Sequence, residues 1–210
     1  MSRLRRAEQV ARNREAVLAA ARRVFLVRGY AGASLEAIAD DAGFSSGVVY
    51  SQFGSKADMF FALLERRIED RASQNERVAA EFVGAEGLRE LLRVGREDAA
   101  AEPGWAYLLA EFRAIAMRDA ELNRRYAAAH ARTLDGIASV LESLYKPIGL
   151  EPPVPVRSMA ELLQAGAVGV ALERAANPNA VPDDDVEELL VRAFALRDTA
   201  VHTAARGSRR

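Results

Sequence analysis

The chain has 210 residues, half of them hydrophobic, with 42 alanines against 14 glycines and 7 prolines and 7% aromatic side chains; this excludes general disorder and favours helix over a strand-rich sandwich or barrel. No run approaches the roughly 20 uncharged apolar residues of a membrane span, and no apolar stretch follows Met1-Ser2-Arg3-Leu4-Arg5-Arg6, so a cytoplasmic location with no membrane partner is expected. The net charge of −1 is unevenly divided, +4 over residues 1–56 and −5 over residues 57–210, which marks a candidate domain boundary.

The first helix is expected from about Glu8 to Arg28, with Val17, Ala21, Val24 and Phe25 on one side and a stop at Gly29, a residue able to adopt a left-handed cap. Residues 1–28 hold eight arginines against Glu8 and Glu15, so this end of the molecule suits an anionic partner; arginines that merely solvate a helix would look the same. Ser34 offers an N-cap for a short helix with Leu35, Ile38, Ala39 and Ala42 at i, i+3, i+4 and i+7, and Gly43 stops it. Ser45 or Ser46 can cap the next short helix, in which Val49 and Phe53 face inward together before Gly54 ends it. Ser55-Lys56-Ala57-Asp58 then opens a longer fourth helix with a near capping box. Two short helices joined by Ala42-Gly43-Phe44 form a helix-turn-helix unit whose second helix is free to enter a DNA major groove, although a purely structural hairpin needs the same residues.

The string Ser34-Leu35-x-x-Ile38-Ala39-x-x-Ala42-Gly43-Phe44-Ser45-x-Gly47-Val48-Val49-Tyr50-x-x-Phe53-x-Ser55-Lys56-x-Asp58-Met59 resembles the N-terminal DNA-binding domain of the TetR family of bacterial transcriptional regulators. Upstream, Ala20-Ala21-x-x-Val24-Phe25-x-x-x-Gly29-Tyr30 resembles that family's first helix, so the likeness covers about residues 14–64. It implies double-stranded operator DNA as partner, a homodimer, and an all-helical C-terminal domain that pairs subunits and holds an unidentified small-molecule effector. It further implies that Ser34 offers its hydroxyl and helix N-terminus to a phosphate, that Ser45, Ser46, Gly47 and Val48 form the exposed first turn of the recognition helix, and that Tyr50 and Lys56 contact phosphates. Gln52 stands where the family commonly has histidine or another aromatic, leaving open whether it reads a base, touches phosphate or faces solvent.

Beyond the fourth helix, Gly84 and Gly87 mark a joint, and a helix led by Leu88, Leu91 and Leu92 stops near Glu102-Pro103-Gly104. The next carries Trp105, Leu108, Leu109, Phe112, Ile115 and Ala116, and another from about Ala120 to Lys146 carries Tyr126 and His130 on one side. Trp105, Phe112, Tyr126 and His130 are candidates to line an effector pocket, with ordinary core as the competing reading. Four prolines in residues 147–155 form a connection; Ser158-Met159-Ala160-Glu161 reads as a capping box, and the helix behind it carries Gly166 and Gly169, small enough for close helix approach. A last helix is expected from Pro182-Asp183-Asp184-Asp185 to about residue 204, before a basic tail at 205–210. The resemblance makes these two helices the dimer interface.

The expected fold is thus all-α: a helix-turn-helix DNA-binding domain over 1–56, a connecting helix from 56 to about 82, and a ligand-binding and dimerisation domain over 57–210. No enzyme is expected: there is no phosphate-binding glycine loop, nucleophile elbow, HExxH or dinucleotide turn, and two isolated histidines (His130, His202) without cysteine leave neither metal nor cofactor site in view. The function read from the sequence is a repressor released from its operator by a small, mainly apolar ligand. The alternative is a DNA-binding architectural or interaction factor without a pocket.

Overall fold

A computed structural model describes residues 2–196, which are helical with no strand among them. In the amino-terminal unit α1 spans Ser2–Gly32, α2 Leu35–Ala42, α3 Ser46–Phe53 and α4 Lys56–Glu81. Two of the expected serine caps are closed: Ser34 Oγ accepts from the Ala37 amide at 3.2 Å, and Ser55 Oγ accepts from the Asp58 amide at 3.1 Å. Ser45 is the N-cap of α3, but its hydroxyl makes no capping bond. Gly43 ends α2 at φ 72, ψ 29, a left-handed geometry in which its amide reaches the carbonyls of Ala39 and Asp40.

Helix α1 runs one turn further than the sequence suggests. Gly29 leaves helical geometry at φ 69, ψ 177, and the chain then resumes a turn as far as Gly32. The break frees the next two amides from the helix ladder, and both donate to one carboxylate: Tyr30 N lies 2.8 Å and Ala31 N 2.9 Å from the side-chain oxygens of Glu111. A Cβ on Gly29 would stand 2.5 Å from Glu111 Oε2, so glycine is needed here for both its backbone angle and the close approach.

The remainder comprises α5 (Gly84–Ala101), α6 (Pro103–Ala116), α7 (Ala120–Tyr145), a single 3₁₀ turn at Lys146–Ile148, α8 (Val156–Ala176) and α9 (Asp183–Ala193). Three expectations need correction. Gly87 is not a joint but a buried position inside α5, where the missing side chain admits Leu144 of α7. Ser158 does not cap α8: the helix already begins at Val156 behind Pro155, which places the serine within its first turn. Helix α9 stops at Ala193 because Ala195 takes a positive φ of 52; the expected continuation to 204, with His202 and the basic tail, lies outside the described residues.

Buried side chains divide into two clusters. The first joins α1, α2 and α3 to the start of α4, α6 and the first turns of α7, so it crosses the division near residue 56 suggested by charge. Its centre is aromatic: Phe60 stacks on Phe112 with ring centroids 3.9 Å apart, and Tyr30 meets Phe112 edge-on at 4.8 Å. The second is largely aliphatic, formed by the end of α4 with α5, the rest of α7, and the residues of α8 and α9 around Met159 and Val191.

Candidate nucleic-acid interface

The α2–turn–α3 segment sets the geometry of the candidate surface. Ile38, Ala39, Val49 and Phe53 are buried, as their spacing predicts, and Phe44 packs between the helices. That anchoring turns the first turn of α3 outward. Ser45 and Gly47 are exposed, Ser46 and Val48 half-buried, and a Cβ built on Gly47 would meet nothing within 4 Å. A neighbouring backbone could therefore approach this glycine closely.

Ser34 is half-buried at the N-terminus of α2, so the cap and any anion would share that end of the helix. Tyr50 is 47% exposed, and its hydroxyl donates to Glu36 Oε1 at 2.8 Å. The Glu36 carboxyl lies below the ordinary carboxylate range, first because a backbone amide bonds it and then because of Tyr50; the same bond pushes the Tyr50 hydroxyl up. Gln52, in the last turn of α3, is half-buried, with Oε1 lacking a partner and its backbone carbonyl accepting from Arg14 at 3.3 Å.

Lys56 occupies a position its sequence context did not reveal. Its ammonium donates to three carbonyls at the end of α1, Tyr30 O at 2.7 Å, Ala33 O at 3.0 Å and Ala31 O at 3.3 Å, and lies 4.6 Å from the centre of the Tyr30 ring. A phosphate at this lysine would have to share it with those carbonyls.

The four candidate effector residues meet in one place, but as packed rings. Trp105, Phe112 and Tyr126 are buried; Trp105 stacks on Phe60 at 6.4 Å, and half-buried His130 stacks on Tyr126 at 5.6 Å. Burial holds the His130 imidazole below its ordinary value, with Arg113 and Arg157 acting in the same sense. A cleft of about 470 Å³ opens instead between α4 and α5, walled by Gln74, Arg77, Phe82, Arg93, Glu97 and Asp98.

Several polar residues at the junction of the two parts were not singled out by sequence. Glu111 is one. Glu102, only 9% exposed, receives Arg22 of α1 and, at 2.6 Å, Arg67 of α4, while Arg67 also reaches Asp98 at 2.6 Å. Asp58 holds Arg125 of α7 at 2.8 Å and is kept below the ordinary carboxylate range first by Ser55 and then by Arg125. Separations of 80 residues or more in sequence left no local signal for the Glu102–Arg22 and Glu111 contacts.

Comparison with known proteins places these features in a family. A family model described as bacterial regulatory proteins of the tetR family matches residues 17–63, and one described as BetI-type transcriptional repressor, C-terminal, matches residues 84–197. Among curated relatives, the HTH-type transcriptional activator FasR of Mycolicibacterium smegmatis is 42% identical over 57 residues, covering 27% of this chain and 26% of that one. The HTH-type transcriptional repressor AcnR of Corynebacterium diphtheriae is 30% identical over 141 residues, 66% of each chain. The matched stretch therefore spans about a quarter of the first relative's length and just under two thirds of the second's. The fatty acid degradation regulator FadR of Bacillus halodurans shares the fold with a TM-score of 0.73 at 18% identity, over 88% of this chain and 97% of its own. FadR of Bacillus subtilis, solved in complex with stearoyl-CoA, superposes with a TM-score of 0.67 at 19% identity, over 85% of this chain and 98% of its own. Among the described residues no helix is long and apolar enough to cross a membrane. With family models covering both the helix-turn-helix and the helices behind it, the chain belongs to the TetR family of bacterial regulatory proteins, a family of transcriptional regulators rather than enzymes.

Proposed function

We propose that the protein is a homodimeric repressor that holds operator DNA through α3 and releases it when a small, mainly apolar molecule binds among the helices behind. The observation that carries the reading is the outward first turn of α3, where Ser45 and Gly47 are exposed and Ser46 and Val48 half-exposed beside a core anchored by Val49 and Phe53. In this reading residues 1–56 read DNA, α4 connects, and the remainder senses and pairs. Ser34, Tyr50 and Lys56 bind phosphates, Ser46 and Val48 select sequence, and Gln52 belongs to the same DNA-binding set at the end of α3. Support for the dimer comes from α8 and α9, where Leu162 is 64%, Leu172 45% and Leu189 67% exposed, while Gly166 and Gly169 have nothing within 4 Å of a built Cβ.

The test is selection of bound fragments from random DNA by the full chain. Near-palindromes with half-sites about one helical turn apart, roughly 34–36 Å, are expected; fragments with no common motif would refute the reading. Lys56→Gln is expected to weaken all sequences alike and to make the salt dependence shallower by about one unit. Ser46→Ala or Val48→Ala is expected to change which sequence is preferred.

A second reading, a DNA-binding architectural factor without an effector, draws support from the close packing of Trp105, Phe112 and Tyr126. It predicts operator binding that no small molecule weakens.

A further inference from the structure

The two hydrophobic clusters do not meet along the long helices. On α4 the buried apolar run of the first ends at Leu64 and that of the second starts at Val78; on α7 the corresponding residues are Ala129 and Leu134. Polar side chains fill much of the α4 side of this gap, and their pairing is uneven. Three guanidinium groups come near, those of Arg22, Arg67 and Arg71. Two carboxylates form ion pairs with them, Glu102 with Arg22 and Arg67 and Asp98 with the other arm of Arg67, while Asp70 acts on Arg22 from further off. Arg71, one turn further along α4, donates to Gln74 Oε1 at 3.2 Å, and among the described residues no carboxylate lies within ion-pair distance of it. Burial draws this guanidinium down, against the pull of the already paired Asp98.

One turn on again stands Asn75, 4% exposed, with Oδ1 bonded to nothing. Spaced i, i+4, the two side chains share a face of α4. Each abuts a glycine on a neighbouring helix: Arg71 Nη2 lies 3.1 Å from the place of a Cβ on Gly95 of α5, and Asn75 Nδ2 3.5 Å from that of a Cβ on Gly136 of α7. A half-buried cation whose nearest carboxylate, Asp98, is already paired with Arg67, and a buried acceptor without a donor, each destabilise the empty protein. One occupant carrying an anionic acceptor beside a donor would relieve both.

We infer that Arg71 and Asn75 form a head-group site between α4, α5 and α7 for an apolar molecule bearing one carboxylate with a hydroxyl or amide N–H beside it. The carboxylate accepts from Arg71, and the neighbouring hydroxyl or N–H donates to Asn75 Oδ1. This rests on the ligand-controlled reading above and names the chemistry of the effector. The aromatic core, already filled, is not the recognition element.

The experiment uses 2-hydroxyoctanoate, octanoate and 1,2-octanediol, titrated into the full chain without DNA and followed by calorimetry and thermal unfolding. The hydroxy acid is expected to bind about ten-fold tighter than octanoate and tighter still than the diol, which lacks the charge. Arg71→Met should erase the advantage of both acids over the diol, and Asn75→Leu the advantage of the hydroxy acid over octanoate. The unliganded Asn75→Leu variant should unfold a few degrees higher than the parent, because a partnerless buried oxygen has been removed; Asn75→Ala replaces it in the binding arm if leucine does not fit against Gly136. Absence of binding by all three compounds, equal binding of all three, or a selectivity that survives both substitutions would overturn the site. Operator is added only afterwards: acids that bind through Arg71 and Asn75 yet leave DNA affinity unchanged would uphold the site and overturn the control mechanism.

Discussion

The aromatic cluster around Phe112 and the helix pair α8–α9 are built on opposite terms. Around Phe112 the rings of Tyr30, Phe60, Phe61 and Tyr126 pack on every side, and Arg125 closes over the outer face of Phe61 at 4.3 Å. Helix α8 is 21 residues long, yet its fully buried residues are Met159 and Ala160; Leu163 packs partly against the second cluster, while Leu162 and Leu172 look outward. The first region obtains its stability from its own chain. The second leaves apolar surface exposed among the described residues, and such surface is costly in water at about 25 cal/mol per Å². The contrast is between an aromatic core completed by α1, α4, α6 and α7 together and a helix pair whose outer face this chain leaves open.

Phe112→Ala is the severest way to break this contrast. It removes a fully buried ring from the cluster shared by α1, α4, α6 and α7 and is expected to cost about 3–5 kcal/mol, read as a large fall in Tm. A loss below about 1 kcal/mol would mean that the cluster does not join the two parts. Glu102→Gln comes next, at about 2–3 kcal/mol. The carboxylate is 9% and Arg67 21% exposed, so Arg67 would be left with Asp98 alone, whereas Arg22, 55% exposed, returns to water at little cost. Denaturant titration of Glu102→Gln beside Arg22→Gln tests this ranking: the Arg22 change should cost under about 1 kcal/mol.

Leu162→Glu combined with Leu189→Glu probes the other region. It should leave monomer stability within about 0.5 kcal/mol of the parent while sedimentation shows the dimer lost at micromolar concentration. A dimer that survives both charges would place the interface elsewhere. The smallest effect concerns pH. Burial depresses the folded-state imidazole of His130, so the unfolded chain binds the proton first and stability falls as pH drops below the ordinary value near 6.5. His130→Gln should flatten the stability profile between pH 7 and 5; an unchanged profile would assign the slope to other groups.

The amino-terminal helices were legible in the sequence because their determinants are local. Ser34 and Ser55 sit three residues from the amides they cap, and Gly43 needs only its own backbone freedom to end α2. Where a determinant lies elsewhere in the chain, the reading failed. The extra turn after Gly29 depends on Glu111, and the ammonium of Lys56 is oriented by carbonyls 23 to 26 residues earlier. Ser158 shows a different limit, since a capping pattern has no meaning once a helix has already started at Val156. The apolar spacing that carried α9 onward past Phe194 says nothing of the positive φ at Ala195 that stops it. For the candidate effector residues, helical spacing placed Trp105, Phe112, Tyr126 and His130 together but could not say whether they enclose space or fill it. Half-buried Arg71 and buried Asn75 were passed over because, in a charged stretch of α4, they look like any solvated face.

The tie between Glu111 and the end of α1 runs from a side chain to two backbone amides, and every residue except proline carries such an amide. Positions 30 and 31 can therefore change identity without severing it, and nothing on α2 or α3 takes part. A lineage could rewrite the exposed first turn of α3 and keep the same mechanical link to α6. It could equally slacken the link by a single change at Gly29 or Glu111 and keep that turn. The α3 surface and the tie behind it are thus open to separate selection.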